Sequence, residues 1–177
     1  MSGYTVLTGR VFGTLLALAV GFSASLAQES HFSVGSDPVQ IWKNHVDKAK
    51  DSILDVTKQL STKTALNALV AAHKHGVKVR MILDSKSASA EKSLASYAVS
   101  SGIEILEWPS DKNGELYGNF TVIDRSEVLA GNFTLSVLSS KSMIEAISML
   151  DDSASVFTAA NAFQKLAGQA SPWTDKK

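Results

Sequence analysis

The amino-acid sequence predicts an α/β sandwich, a mixed central sheet flanked by helices. Three observations predict it. Short β-branched runs alternate with longer segments whose apolar residues recur at three and four. The first two complete helical segments after residue 60 run into glycines, Gly76 and Gly102, the usual residue just past a helix C-terminus. The run Val77–Asp84 is β-branched and nearly continuous in apolar residues, the composition of a strand.

Each element follows in order. Phe32–Val34 is a short strand candidate. Ser36-Asp37-Pro38 reads as a helix start, with proline in the first turn where its missing N–H costs nothing. Val39, Trp42, Val46 and Ala49 then form one stripe, so a helix is expected over 38–50. Ser52–Thr57 reads as a strand, with Asp55 awkward inside it. Ser61 or Thr62 caps a second helix, whose stripe holds Ala65, Leu66, Leu69, Val70 and Ala72. Strand 77–84 follows, then a Ser/Ala-rich segment leading into a helix around 90–101. A strand at 103–107 and a loop from Trp108 to Gly114 come next. Residues 116–124 and 127–131 read as two strands joined by a tight turn at Arg125-Ser126. Ile144–Leu150 is the last expected strand. Ser153 opens a final helix with Val156, Phe157, Ala160, Phe163 and Leu166 on one face.

Residues 1–27 read as a secretory signal peptide rather than as part of the domain. Arg10 is the only charge there, an apolar run of about a dozen residues follows it, and Ser25 and Ala27 suit a small-x-small cleavage site. The run is short for a bilayer span, which takes roughly 20 apolar residues. Export to the periplasm or the medium is therefore expected, with residues 28–177 forming one domain. Loss of Arg10 leaves one basic residue fewer than the chain's 17, against 17 acidic residues, so the mature net charge is −1. Without a basic tail or stripe, nucleic-acid binding should be weak or absent. The chain has no cysteine, which excludes disulfides and Cys-based metal or redox sites.

The most informative stretch is Leu116-Tyr117-Gly118-Asn119-Phe120-Thr121-Val122-Ile123-Asp124. It resembles the His-x-Lys-x4-Asp signature of the phospholipase D superfamily, with Tyr117 at the histidine position, Asn119 at the lysine position and Asp124 retained. Further segments carry the same resemblance, to the small exported nuclease branch of that superfamily. Ala65–Asp84 is similar to its helix, Gly-Val-x-Val turn and strand ending in Asp, and Ser101-Gly102-Ile103 to its next helix-to-strand turn. The family's Gly-Ser-x-Asn corresponds to Gly131-Asn132-Phe133-Thr134, and its later Glu-Asn to Glu145-Ala146. This is the ungapped register. Aligning Asn132-Phe133-Thr134 with the family's Asn-aromatic-Thr instead would need a three-residue gap.

The resemblance implies a phosphodiesterase fold in which two copies of the signature meet at one site. One histidine attacks phosphorus, the other protonates the leaving oxygen, and lysines and asparagines hold the phosphoryl oxygens. A chain with one signature would need a homodimer to complete such a site. The vestigial site would consist of Tyr117, Asn119, Asp124, Asn132, Thr134 and Glu145. A phenol titrates near 10 and an imidazole near 6.5, so Tyr117 does not simply replace the histidine at neutral pH. Loss of a nucleophile alone costs a factor on the order of 10^6. The expectation is therefore a non-catalytic, homodimeric binding or structural protein. The family's small nucleases are encoded with conjugation or type IV secretion systems, so an envelope or secretion complex is the implied partner. The alternative is a phosphodiesterase of phospholipase D or nuclease type with residual or altered chemistry.

Other candidates are weaker. His31 and His45 are isolated, and His73 and His75 read as solvated residues at a helix C-terminus, where their charged forms suit the dipole. No His/Asp/Glu set has ligand spacing, so no metal and no cofactor are expected. Asp51, Asp55 and Asp84 are acidic residues available to line a site, with Asp84 read first as a turn or cap residue. Ser139-Ser140-Lys141-Ser142 has the composition of a polar loop. Trp42 is expected in the core, and Trp108 and Trp173 either in the core or exposed as contacts.

Overall fold

The computed structural model describes residues 29–32, 37–136 and 145–174. The signal segment, Ser33 and Val34 of the first expected strand, the 139–142 loop and Ile144 lie outside the described residues. The elements are β1 (Glu29–Phe32), α1 (Pro38–Val46), β2 (Ser52–Thr57), α2 (Lys63–Lys74), β3 (Lys78–Asp84), α3 (Ser85–Ala88) and α4 (Ala95–Ser100). They continue with β4 (Glu104–Trp108), α5 (Ser110–Asn113), β5 (Asn119–Ile123), β6 (Glu127–Gly131), β7 (Ala146–Leu150), α6 (Ser153–Ala167) and β8 (Ser171–Pro172). The strands form one mixed sheet in the order β1-β7-β6-β5-β2-β3-β4-β8. β2, β3 and β4 are parallel, joined through helices, and the remaining pairings are antiparallel.

Period-2 alternation divides the strand residues between two cores. Ile53, Val79, Met81, Leu83, Ile105 and Ile123 face α1, α2 and α4, with Trp42 and Leu69 fully buried among them. Leu54, Val56, Ile82, Leu106, Val122 and Val128 face the other way, onto Val156 and Phe163 of α6. Local signals account for the helix starts. The Asp37 carboxylate accepts from the Val39 N–H at 3.0 Å, with Pro38 at the first helical position. Thr62 caps α2, and Asp152 caps α6 through the Ser155 N–H.

Several expected boundaries shift. The first helix stops at Val46 rather than 50. The helix expected at 90–101 starts only at Ala95, while Asp84 caps the separate turn α3 through the N–H groups of Lys86 and Ser87. The signature strand begins at Asn119 rather than Leu116, so Tyr117 lies in a loop. Trp108 closes β4, and its indole N–H donates to the Gly114 carbonyl at 2.7 Å, which is why it is buried. Trp173 is half-buried against the core, tied by its backbone N–H to the Ile105 carbonyl beside the short edge strand β8. His73 is half-buried rather than solvated. Its ring fills the space a side chain on Gly102 would need, with Nε2 2.6 Å from where a Cβ would stand.

Candidate functional site at the carboxyl edge of the parallel strands

The registers bring the chemistry-bearing positions to two opposite edges of the sheet. β2 and β3 run parallel and end at Thr57 and Asp84, and β5 runs back against β2 with Phe120 beside Val56 and Ile123 beside Ile53. Asn119 therefore starts at the edge where the parallel strands end, beside Gly131, where β6 finishes. Ligands of open α/β sheets bind outside this carboxyl edge. Asp124 sits at the far end of β5, on the order of 17 Å away at strand rise.

Asn119 is 3 % exposed and both ends of its side-chain amide are hydrogen-bonded. Its amide oxygen accepts the Lys58 backbone N–H at 2.9 Å, and its amide nitrogen donates to the Phe133 carbonyl. It therefore bolts the end of β2 to the segment after β6. Asn119, matched to a lysine by the sequence resemblance, acts here as a structural bracket.

Tyr117 is the opposite case, a 72 % exposed side chain. The Lys58 ammonium lies 4.3 Å from its ring centroid, a cation–π contact, and 3.0 Å from Glu115 Oε2. That Glu115 bond is the largest influence holding the Lys58 pKa above its ordinary value. The Lys58 bond, then the Tyr117 hydroxyl, hold the Glu115 carboxyl below its ordinary value. Lys58 and Glu115 escaped the sequence reading. The available signal was position: Lys58 is the first residue after a parallel strand.

Thr134 and Glu145 are brought together. The buried Glu145 carboxylate accepts the Thr134 N–H at 3.1 Å, and the Thr134 hydroxyl lies 2.9 Å from that of Ser136. Asn132 accepts the Ala146 N–H at 2.6 Å. Gly131 is required at this junction, because a Cβ there would stand 2.0 Å from the Ala146 carbonyl oxygen. The segment after β6 is thus fastened to the start of β7 by Asn132, Thr134 and Glu145.

Asp124 does not join this cluster. It occupies the left-handed turn at φ 51, next to Arg125 at φ 54. Its carboxylate accepts three backbone N–H groups, from Lys50, Asp51 and Ser52, at 2.8–2.9 Å. Partial burial pushes its pKa up, but the three donors outweigh that and the net shift is downward. Its role is to clamp the turn at the amino edge of β2. Of the other candidates, Asp51 lies in that clamped loop, His45 pairs with Glu127, and Asp84 is a buried helix cap. Asp55 is fully buried and accepts from the Thr121 hydroxyl at 2.5 Å, which in turn accepts from the Trp42 indole at 2.8 Å. Burial pushes its pKa up to about 7, against the opposing pull of Thr121 and Trp42. Among the described residues no group of three or more His, Cys, Asp or Glu stands together as metal ligands would. No described helix is long and apolar enough to cross a membrane.

The edge cluster can bind and orient. Tyr117 and Asn119 supply a phenol and a buried amide, and the ammonium over the Tyr117 ring, from Lys58 just after β2, is already paired with Glu115.

Residues 43–167 match a family model described as cardiolipin synthase, PLD-like domain. No curated protein matches the sequence significantly. Among solved structures, the phospholipase D family member Nuc from Salmonella typhimurium superposes with a TM-score of 0.76 at 19% identity, covering 84% of this chain and 99% of that one. NucT from Helicobacter pylori gives 0.74 at 17% identity, over 83% and 99%. Phosphatidylserine synthase from Haemophilus influenzae gives 0.63 at 11% identity, over 82% of this chain and 40% of that one. At these identities the likeness is one of fold.

Proposed function

Because the chain belongs to the phospholipase D superfamily through the PLD-like domain at residues 43–167, we propose that it is an exported, non-catalytic member that binds a ligand or partner as a homodimer. The observation that carries this reading is Asn119. Its two hydrogen bonds to backbone hold it as a bracket, and a neutral amide brings no positive charge to a phosphoryl group, whose developing charge is what such a site must stabilise. Tyr117 adds to it, since an exposed phenol whose neighbouring ammonium is paired with Glu115 lacks the environment that activates a nucleophile. Export is supported by the sequence of residues 1–27, and an envelope or secretion complex fits an exported binding protein.

The homodimer is supported by the face that α6 half-covers. A groove beside α6 lined by Phe120, Val128, Ala130, Ala159 and Ala162, with Ser155 and Thr158, carries no charged side chain. An uncharged, mainly apolar groove of this kind suits a partner surface. Light scattering should give twice the monomer mass at micromolar concentration, and a monomer at every concentration would remove this part of the reading.

One observation favours a second reading, phosphodiester cleavage by altered chemistry. Lys58 stands over the ring of Tyr117 and would stabilise a phenolate if Glu115 moved away. The deciding experiment is an assay of the purified protein on a phosphodiester reporter, plasmid DNA and phosphatidylcholine, beside a family member with an intact signature. The binding reading expects no turnover above background on any of them.

A further inference from the structure

A cleft of about 580 Å³ opens between α6 and the amino edge of the parallel strands. It lies at the far end of β5 from Tyr117 and Asn119 and shares no residue with that cluster. The helical period puts Val156, Phe157, Ala160 and Gln164 of the cleft on one flank of α6, and Thr158 and Ala162 of the uncharged groove on the other. A volume of this order suits a small organic ligand.

The floor is apolar. Leu54 of β2 and Val156 of α6 are buried there, and the Phe157 side chain, 70 % exposed, forms a wall. Two opposite charges, Arg125 and Asp151, line the same cleft. Neither side chain makes an ion pair or a hydrogen bond among the described residues. The exposed amides of Asn161 and Gln164 add donors and acceptors of the kind that match a peptide bond. The backbone carrying Arg125 is held in place. Its turn is closed by the Ser126 N–H on the Ile123 carbonyl at 3.0 Å, and Asp124 clamps it through three further backbone N–H groups.

We propose that this cleft binds an apolar zwitterion, a hydrophobic amino acid or short peptide, with its carboxylate on Arg125, its ammonium on Asp151 and its side chains over Leu54, Val156 and Phe157. A guanidinium fork matches a carboxylate through paired N–H donors, and the Asp151 carboxylate accepts from an ammonium. A zwitterion satisfies both charges at once, whereas a polyanion would meet Asp151 as well as Arg125. The site is separate from the signature cluster, so it stands whether or not that cluster cleaves phosphodiesters.

The test is a calorimetric titration of the purified protein with phenylalanine, leucyl-phenylalanine, N-acetyl-leucyl-phenylalanine, leucyl-phenylalanine amide and glycylglycine. Wild type is compared with Arg125→Gln and Asp151→Asn, both exposed positions where the fold should persist, which a thermal melt checks. Wild type should bind leucyl-phenylalanine and not glycylglycine at the same concentration. Arg125→Gln should bind leucyl-phenylalanine about two- to five-fold more weakly, the range of an exposed ion pair, and should bind the amide as wild type does. Asp151→Asn should weaken leucyl-phenylalanine by a similar factor and leave the N-acetyl form unchanged. With that pattern, phenylalanine binding as tightly as the dipeptide identifies a free amino acid, and tighter binding of the dipeptide identifies a peptide. No binding of any probe at millimolar concentration, equal affinities across the three proteins, or glycylglycine binding as well as leucyl-phenylalanine would each overturn the proposal.

Discussion

Asp55 makes stability depend on pH in an unusual direction. Its carboxyl lies in the core between β2, β5 and Trp42, takes one hydrogen bond from Thr121, and has its second oxygen buried without a partner among the described residues. Burial raises its pKa from 3.8 to about 7. The folded protein therefore holds a proton that the unfolded chain releases near pH 4. Stability from this group is fully present below that pH and is lost as pH rises through about 7. A displacement of this size corresponds to about 4 kcal/mol over that interval, a large share of the roughly 5–15 kcal/mol that holds a domain together. The perturbation is Asp55→Asn, which keeps an acceptor for Thr121 and cannot ionise. Urea unfolding followed by tryptophan fluorescence at pH 4.5, 6 and 8 should show wild type losing several kcal/mol across the series. The variant should be nearly flat, about 1 kcal/mol less stable than wild type at pH 4.5 because an amide N–H is left unmatched, and the more stable protein at pH 8. Parallel profiles for the two proteins would refute the reasoning.

Three further outcomes are expected. Asn119→Lys should destabilise by on the order of 3 kcal/mol, because it removes the side-chain acceptor of the Lys58 N–H and buries a charge, whereas Tyr117→His on the exposed loop should stay within about 0.5 kcal/mol; thermal melts of the two single variants check this. Gly131→Ala should cost about 2 kcal/mol or more by the same measurement, since the new methyl meets the Ala146 carbonyl at the β6–β7 junction. Duplex DNA should bind more weakly than about 1 μM at physiological salt in fluorescence anisotropy, given a net charge near zero and no basic stripe; submicromolar binding that falls steeply with salt would move the account toward a nuclease.

Where periodicity and punctuation coincide, the fold was legible in the sequence. Ser52–Thr57 and Glu127–Gly131 are strands over the expected residues, and Asp37 and Thr62 start helices because their side chains satisfy orphan N–H groups. Short elements were not legible. The two-residue edge strand β8 and the single turns α3 and α5 bury too few residues to impose a period. Asp55 looked out of place because its compensation lies 66 residues away, in the Thr121 hydroxyl. At the site, the resemblance supplied a spacing but not a geometry. Spacing alone puts Tyr117, Asn119 and Asp124 in one motif, while a strand five residues long separates Asn119 from Asp124 by its whole length. Lys58 had no motif to announce it, and only the parallel pairing of β2 with β3 brings it to the edge where Tyr117 stands.

The central claim is that the signature positions no longer cut phosphodiesters. The most direct measurement is release of product from a phosphodiester reporter by wild type and Tyr117→Phe, at enzyme concentrations high enough to see a single turnover. The substitution removes only the hydroxyl, from an exposed side chain whose loss should leave the fold unchanged. The account predicts that both proteins match the buffer control, with no burst and no steady rate. Wild-type turnover that disappears in Tyr117→Phe would contradict it and make the phenol the nucleophile or acid of an altered enzyme.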